Sequence, residues 1–210
     1  MSPLIHASVR ACRRAGLGVP LAAGLVLLAA AMKWFGHGHD LDLFRGLAFL
    51  LTAAVICAVD DPSREALAAV PFSLAARTLG RVGVAALSAV PVWIVALVIA
   101  TRTTRDVPLF WMTVEGAGIA VFGLTCAVLV HRWGRLDEPA VVAIPVVLAL
   151  LLAMQVLPRH WALLGDQTWG PPWIATRIRW ASLIAIGIGL TSYALAAGPR
   201  PRRAHATRGV

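Results

Sequence analysis

Apolar residues recur along this chain in long unbroken runs, and short polar stretches separate one run from the next. A helix crossing a bilayer core needs about 20 consecutive, mostly apolar residues. Six stretches meet or approach that length: 17–35, 43–59, 82–100, 110–131, 140–157 and 178–197. Lipid offers no partner to a backbone N–H or C=O, so such runs predict helices, whose backbone bonds close within the segment. The pattern therefore predicts an all-α, polytopic membrane protein: one transmembrane domain over 1–210 with six spans and no soluble domain. Pro91 and Pro145 fall inside runs, where each removes a backbone bond and predicts a kink.

Before the first run stand Arg10, Arg13 and Arg14, an order also found in secretory signals. The run continues to Phe35, well past the about 7–15 residues of a cleavable signal core, and so predicts a retained first span. With Leu4, Ile5 and Val9 the same arginines predict an interfacial helix over Pro3–Ala15, basic face to the headgroups. At the other end, 198–210 reads as a disordered basic tail.

Composition agrees with the runs. Hydrophobic residues are 59% and charged residues 14% of the chain, where soluble domains carry about 25% charge. The balance is basic, 19 Lys+Arg against 10 Asp+Glu. The arginines lie in short loops between runs, which reads as a topology signal and argues against a nucleic-acid surface. One side would hold Arg10, Arg13, Arg14, the 60–81 loop (Arg64, Arg77, Arg81), the 132–138 loop (Arg132, Arg135) and the tail (Arg200, Arg202, Arg203, Arg208). Lys33, Arg45, Arg102, Arg105, Arg159, Arg177 and Arg179 would lie opposite. The first set is the larger, so it is expected in the cytoplasm with both termini.

Two loops carry more than a connection needs. Asp60–Arg81 reads DDPSREALAAVPFSLAARTLGR. Asp61 suits an N-cap, Pro62 the first helical position and Glu65 the positive end of the helix dipole. Pro71 disfavours helix at Val70, so a short cytoplasmic helix is expected to end there. A second segment, Phe72–Gly80, then feeds the third span. Pro158–Trp180 holds Trp161, Trp169, Trp173 and Trp180, half of the 8 tryptophans, around a Gly170-Pro171-Pro172 break. Tryptophan favours the headgroup level, so an external re-entrant or surface-lying hairpin is expected.

Enzyme signatures are missing. The chain has no Walker lysine motif, no H-E-x-x-H and no G-x-S-x-G, and its 6 histidines are dispersed. No catalytic residue is expected. Cys12, Cys57 and Cys126 show no C-x-x-C spacing, which leaves neither a zinc site nor a disulfide framework. His37-Gly38-His39-Asp40 could offer two imidazoles and a carboxylate to a divalent ion, but nothing nearby supplies further ligands and a solvated loop is the simpler reading. Glu115 stands out, since it lies inside the fourth run about a turn and a half from its end. A charge at mid-span costs about 2.5–3.5 kcal/mol on insertion scales, so it should face a cavity or a partner. It is a candidate translocation-path or gating carboxylate, against a structural hydrogen bond or a snorkelling interface residue.

Laid out in this way, the chain resembles the permease subunit of type-two ATP-binding-cassette exporters. The text of the 60–81 loop carries the likeness best. Its acidic start, Arg-Glu pair, Leu-Ala-Ala-x-Pro stretch and entry arginine (Asp60, Asp61, Arg64, Glu65, Leu67, Ala68, Ala69, Pro71, Arg81) look like permeases of high-GC bacteria. The resemblance implies an amphipathic elbow at Pro3–Ala15, a coupling helix at Asp61–Val70 and a re-entrant hairpin at Pro158–Ile174. It also implies a bacterial cytoplasmic membrane and a separate ATPase subunit that binds ATP and Mg. The permease would pair with a second copy or a paralogue. Asp60, Asp61, Arg64, Glu65, Leu67 and Val70 would meet the ATPase, Arg64 and Glu65 through polar contacts and Leu67 and Val70 in an apolar pocket. Spans with few polar groups lean towards a lipophilic or amphipathic cargo. The alternatives are a non-transporting membrane protein (an assembly factor or sensor subunit) and an ion-coupled secondary carrier working through Glu115.

Overall fold

The computed structural model describes residue 24 and residues 40–60, 74–103, 108–133, 138–156 and 171–196. Every regular element among them is an α-helix: α1 (Asp40–Cys57), α2 (Leu74–Thr103), α3 (Leu109–Trp133), α4 (Pro139–Val156) and α5 (Pro171–Ala196). Three are long and apolar enough to cross a membrane, at Ala76–Arg102, Leu109–Trp133 and Ile174–Ala196, and mark the chain as a membrane protein. Leu43–Cys57 and Pro139–Met154 form shorter apolar helices.

The helix starts follow local chemistry. Proline is favoured in a first helical turn because its missing N–H has no intrahelical partner there. Pro139 opens α4, and Pro171-Pro172 open α5. The Pro108 carbonyl accepts the amides of Trp111 and Met112 at 2.9 and 3.1 Å and so begins α3. At its far end α1 tightens into i→i+3 bonds, Ala58 to Val55 and Val59 to Ile56, before the chain leaves the helix. α2 and α4 run on through Pro91 and Pro145.

Two boundaries differ from those the sequence predicts. The third run, expected to span from residue 82, is helical from Leu74. The last, expected from residue 178, is helical from Pro171, so Pro171–Trp180 is the first part of α5 and not a separate half of a hairpin. The physical reason is the same for both. Charges and glycine or proline punctuate these stretches, yet each sits where a helix tolerates it. The rest of the expected hairpin, the interfacial helix at Pro3–Ala15, the segment Asp61–Val70 and the tail lie outside the described residues, as do His37 and His39. Of the first run only Gly24 is described; it is helical and buried, with Leu47 and Leu51 of α1 beside it.

α3 is the hub of the bundle, packed against α1, α4 and α5, while α2 lies on α1. Glycine makes the hub possible, since small residues let membrane helices approach closely. A Cβ on Gly118 would overlap the buried Trp180 ring of α5, and one on Gly123 would overlap the Thr52 methyl of α1. From α5, a Cβ on Gly187 would stand 2.7 Å from the Val121 side chain. The outer faces are apolar: Leu87, Ile94 and Val98 on α2, Val141 and Leu152 on α4, and Ile178 and Ile186 on α5 are all exposed. In water such a surface would aggregate; against lipid it is the ordinary solvated face.

Few polar groups lie inside the bundle among the described residues, and one of them ties α3 to α5. The Thr125 hydroxyl lies 2.7 Å from the Val121 carbonyl, 3.1 Å from the Gly187 carbonyl and 3.0 Å from the Thr191 hydroxyl. It has a single proton to give to one of the two carbonyls, so it accepts the proton of Thr191. Thr125→Val is expected to cost only about 0.6 kcal/mol, the typical worth of such a bond in a membrane bundle, because Thr191 can turn back to a carbonyl of its own helix. A shift in the midpoint of denaturation in mixed micelles measures it.

Candidate functional site

Two polar constellations stand at opposite ends of the helices. The first is centred on Glu115. As the seventh residue of α3 it sits about 9 Å along the axis from Leu109. Arg45 occupies the corresponding depth on α1, and its Nε donates to Glu115 Oε1 at 2.6 Å. Both side chains are only 12% exposed. An isolated charge at this depth is expensive, and a paired, hydrogen-bonded one far less so.

A roof covers the pair. Trp93 of α2 lies over Gly116, where an added Cβ would stand 3.0 Å from the indole ring. The Trp93 N–H donates to the Thr113 hydroxyl at 3.3 Å, and Thr113 passes its own proton to the Leu109 carbonyl at 2.9 Å. Phe44 meets the Trp93 ring edge to face at 5.5 Å. What remains between Phe44, Arg45, Ala48, Trp93, Met112, Glu115, Gly116 and Ile119 is a space of about 10 Å³. That is room for about one water and none for an organic ligand. Near the same end Arg177 of α5 rests 4.0 Å over the Trp111 ring, a cation–π contact that ties α5 to α3.

The second constellation joins the connections. Asp60, just past α1, accepts the Ala140 amide on Oδ1 at 3.0 Å and so caps α4, 80 residues away in sequence. Arg81 of α2 is buried and donates to the Val59 carbonyl in a long bond of 3.4 Å. The two ends of the 60–81 loop are thereby clasped to each other and to α4. Across the bundle, Arg132 of α3 donates to the Ala194 carbonyl at 2.6 Å, where a cation suits the negative end of α5.

Burial raises the Asp60 carboxyl above its ordinary value; the Ala140 amide lowers it, Glu138 raises it and Arg81 lowers it. A carboxylate raised in the folded state binds its proton more tightly folded than unfolded. Its contribution to stability is therefore fully present at low pH and is lost as pH rises through the raised value. Asp60→Asn keeps the acceptor oxygen and removes the half-buried charge. We expect it to match or exceed the parent in thermal stability at neutral pH and to flatten the profile above about pH 4. Asp60→Ala loses the cap and should cost about 1 kcal/mol.

Of the residues singled out by sequence, the structure gives Glu115 a partner and ties the half-buried Asp60 to the amino end of α4. Asp61, Arg64, Glu65, Leu67 and Val70 lie outside the described residues. Charge counting places Arg45 on the external side, although it lies within the 43–59 run. The signal that could have paired it with Glu115 is depth, since a carboxylate in a span requires a cation at the same level. Among the described residues no three His, Cys, Asp or Glu side chains gather as a metal site would. Compared with known proteins, the chain matches no family profile, no curated protein and no solved structure.

Proposed function

We propose that this chain is the membrane permease subunit of an ATP-driven exporter. It would have six spans, the first at 17–35, and both termini in the cytoplasm of a bacterial cell. The supporting observation is the clasp at the Asp60 end of the bundle. Asp60 holds the amino end of α4 at 3.0 Å, and Arg81 holds the last carbonyl before the loop. A push on Asp61–Val70 would reach α1, α2 and α4 together rather than be absorbed by a slack connection.

In this reading a separate ATPase subunit, loaded with ATP and Mg, seats Asp61–Val70 in a cleft. Arg64 and Glu65 make the polar contacts there, and Leu67 and Val70 fill an apolar pocket. The motion has an effect only if the two states of the pair differ in contact energy at that joint. A second permease copy or a paralogue completes the path, and the segment before α5 dips into the outer leaflet. The Arg64→Ala/Glu65→Ala double variant is expected to insert normally yet lose at least about tenfold of substrate-stimulated ATP hydrolysis, the loss of about 1.4 kcal/mol of coupling. Full stimulation in that variant would remove the assignment.

One observation favours a second reading, a non-transporting subunit for assembly or sensing. Glu115 is engaged by Arg45, and the space beside it is about 10 Å³. Such a protein would bind no ATPase and would tolerate any change at Arg64 and Glu65.

A further inference from the structure

The contacts between α1 and α3 are of two unlike kinds. Around Gly123 the helices meet with no room even for a Cβ, because the Thr52 methyl and the Ile56 side chain fill the place. Two turns away the same helices are joined by long side chains, Arg45 to Glu115, across a space of about 10 Å³. The tight contact cannot slide without a clash. The long one can lengthen by rotamer change alone. A bundle jointed in this way has a pivot at Thr52–Gly123 and a compliant end at Arg45–Glu115.

The compliant end is the one at which a third helix takes hold. Trp93 of α2 covers Gly116, meets Phe44 and donates to Thr113, so its ring bears on both α1 and α3. Ala48, on α1 between the pivot and the ion pair, is buried beneath this roof.

We propose that the Arg45–Glu115 pair, roofed by Trp93, is a latch that closes one end of the helix bundle, and that its release lets α1 swing from α3 about the Thr52–Gly123 contact. The latch is independent of the ATP-driven reading, because it concerns how α1, α2 and α3 part and not what parts them.

The test uses the full chain in lipid vesicles, with Cys12, Cys57 and Cys126 replaced by serine and one reporter cysteine introduced. Ala48→Cys reports from under the roof, and Ala127→Cys, buried beyond the pivot, reports from the far end. The readout is the rate of labelling by a membrane-impermeant thiol reagent supplied on both faces of the vesicles. Arg45→Gln and Glu115→Gln are each expected to raise the Ala48→Cys rate at least about tenfold, the effect of about 1.4 kcal/mol or more on the opening equilibrium, with the Ala127→Cys rate unchanged. The exchanged pair, Arg45→Glu with Glu115→Arg, is expected to bring the rate back towards the parent. Unchanged Ala48→Cys labelling in both neutral variants would overturn the latch. So would an equal rise at both reporters, which is what general loosening gives.

Should the neutral variants not fold, amide exchange of the unaltered protein decides. Amides at Glu115–Ile119 are expected to exchange faster than those at Gly123–Ala127, on the other side of the pivot. Equal protection in the two segments overturns the proposal.

Discussion

Glu115→Gln is expected to destabilise the bundle by about 3 kcal/mol, the low end of the cost of taking one member from a largely buried ion pair. Arg45, 12% exposed, would keep its guanidinium at the depth where Glu115 Oε1, 2.6 Å away, answers its charge. Arg45→Gln should cost a similar amount for the mirror-image reason. Replacing both with leucine should cost much less than the sum, because neither charge then needs an answer. Denaturation midpoints of the two single variants and the double variant in mixed micelles check this. A strictly additive double variant would show that the two residues do not answer each other.

Gly118→Leu is expected to be comparably damaging, at about 3 kcal/mol or more, through a different cause. The new Cβ alone would overlap the Trp180 ring, which is buried and only 4% exposed between α3 and α5. A long flexible side chain could move aside, but an indole enclosed by two helices cannot. α3 and α5 would have to separate and lose the Thr125–Thr191 bond and the Arg132–Ala194 bond on the same interface. Gly118→Ala meets the same overlap in milder form and should fall between the parent and leucine. By contrast Gly189→Ala, with open space where its Cβ would go, should be nearly silent. Yield of monodisperse protein in mild detergent ranks the three.

The helical character of the chain was legible in its apolar runs, because the bilayer imposes one solution on any segment that crosses it. For α1, α3 and α4 the runs 43–59, 110–131 and 140–157 come within a few residues of the observed limits. The amino ends of α2 and α5 were not legible. Arg77 and Gly80 interrupt the apolar pattern without interrupting the backbone, and Pro171-Pro172 look like a break but sit in a first turn.

Glu115 announced itself as a charge where charge is expensive. Its partner did not, because Arg45 is 70 residues away and nothing local links them. Asp60 is instructive in another way. The resemblance makes it the acidic start of a segment that faces another protein, and the structure adds that its carboxylate caps α4 of its own chain. An aspartate beside a loop advertises a capacity to accept amide protons, and only the fold decides whose. Glycine in a membrane helix allows close approach, but which side chains come close to the glycines of α3 (Trp93, Trp180 and Thr52) follows only from how α1, α2 and α5 lean on the hub.

The most direct measurement is to purify the tagged chain from membranes in mild detergent, identify the proteins that accompany it and assay ATP hydrolysis. The permease reading predicts a stoichiometric second chain carrying a Walker lysine motif, with ATPase activity that falls when Arg64 and Glu65 are both alanine. A chain that runs alone in several detergents, without ATP hydrolysis, would contradict it.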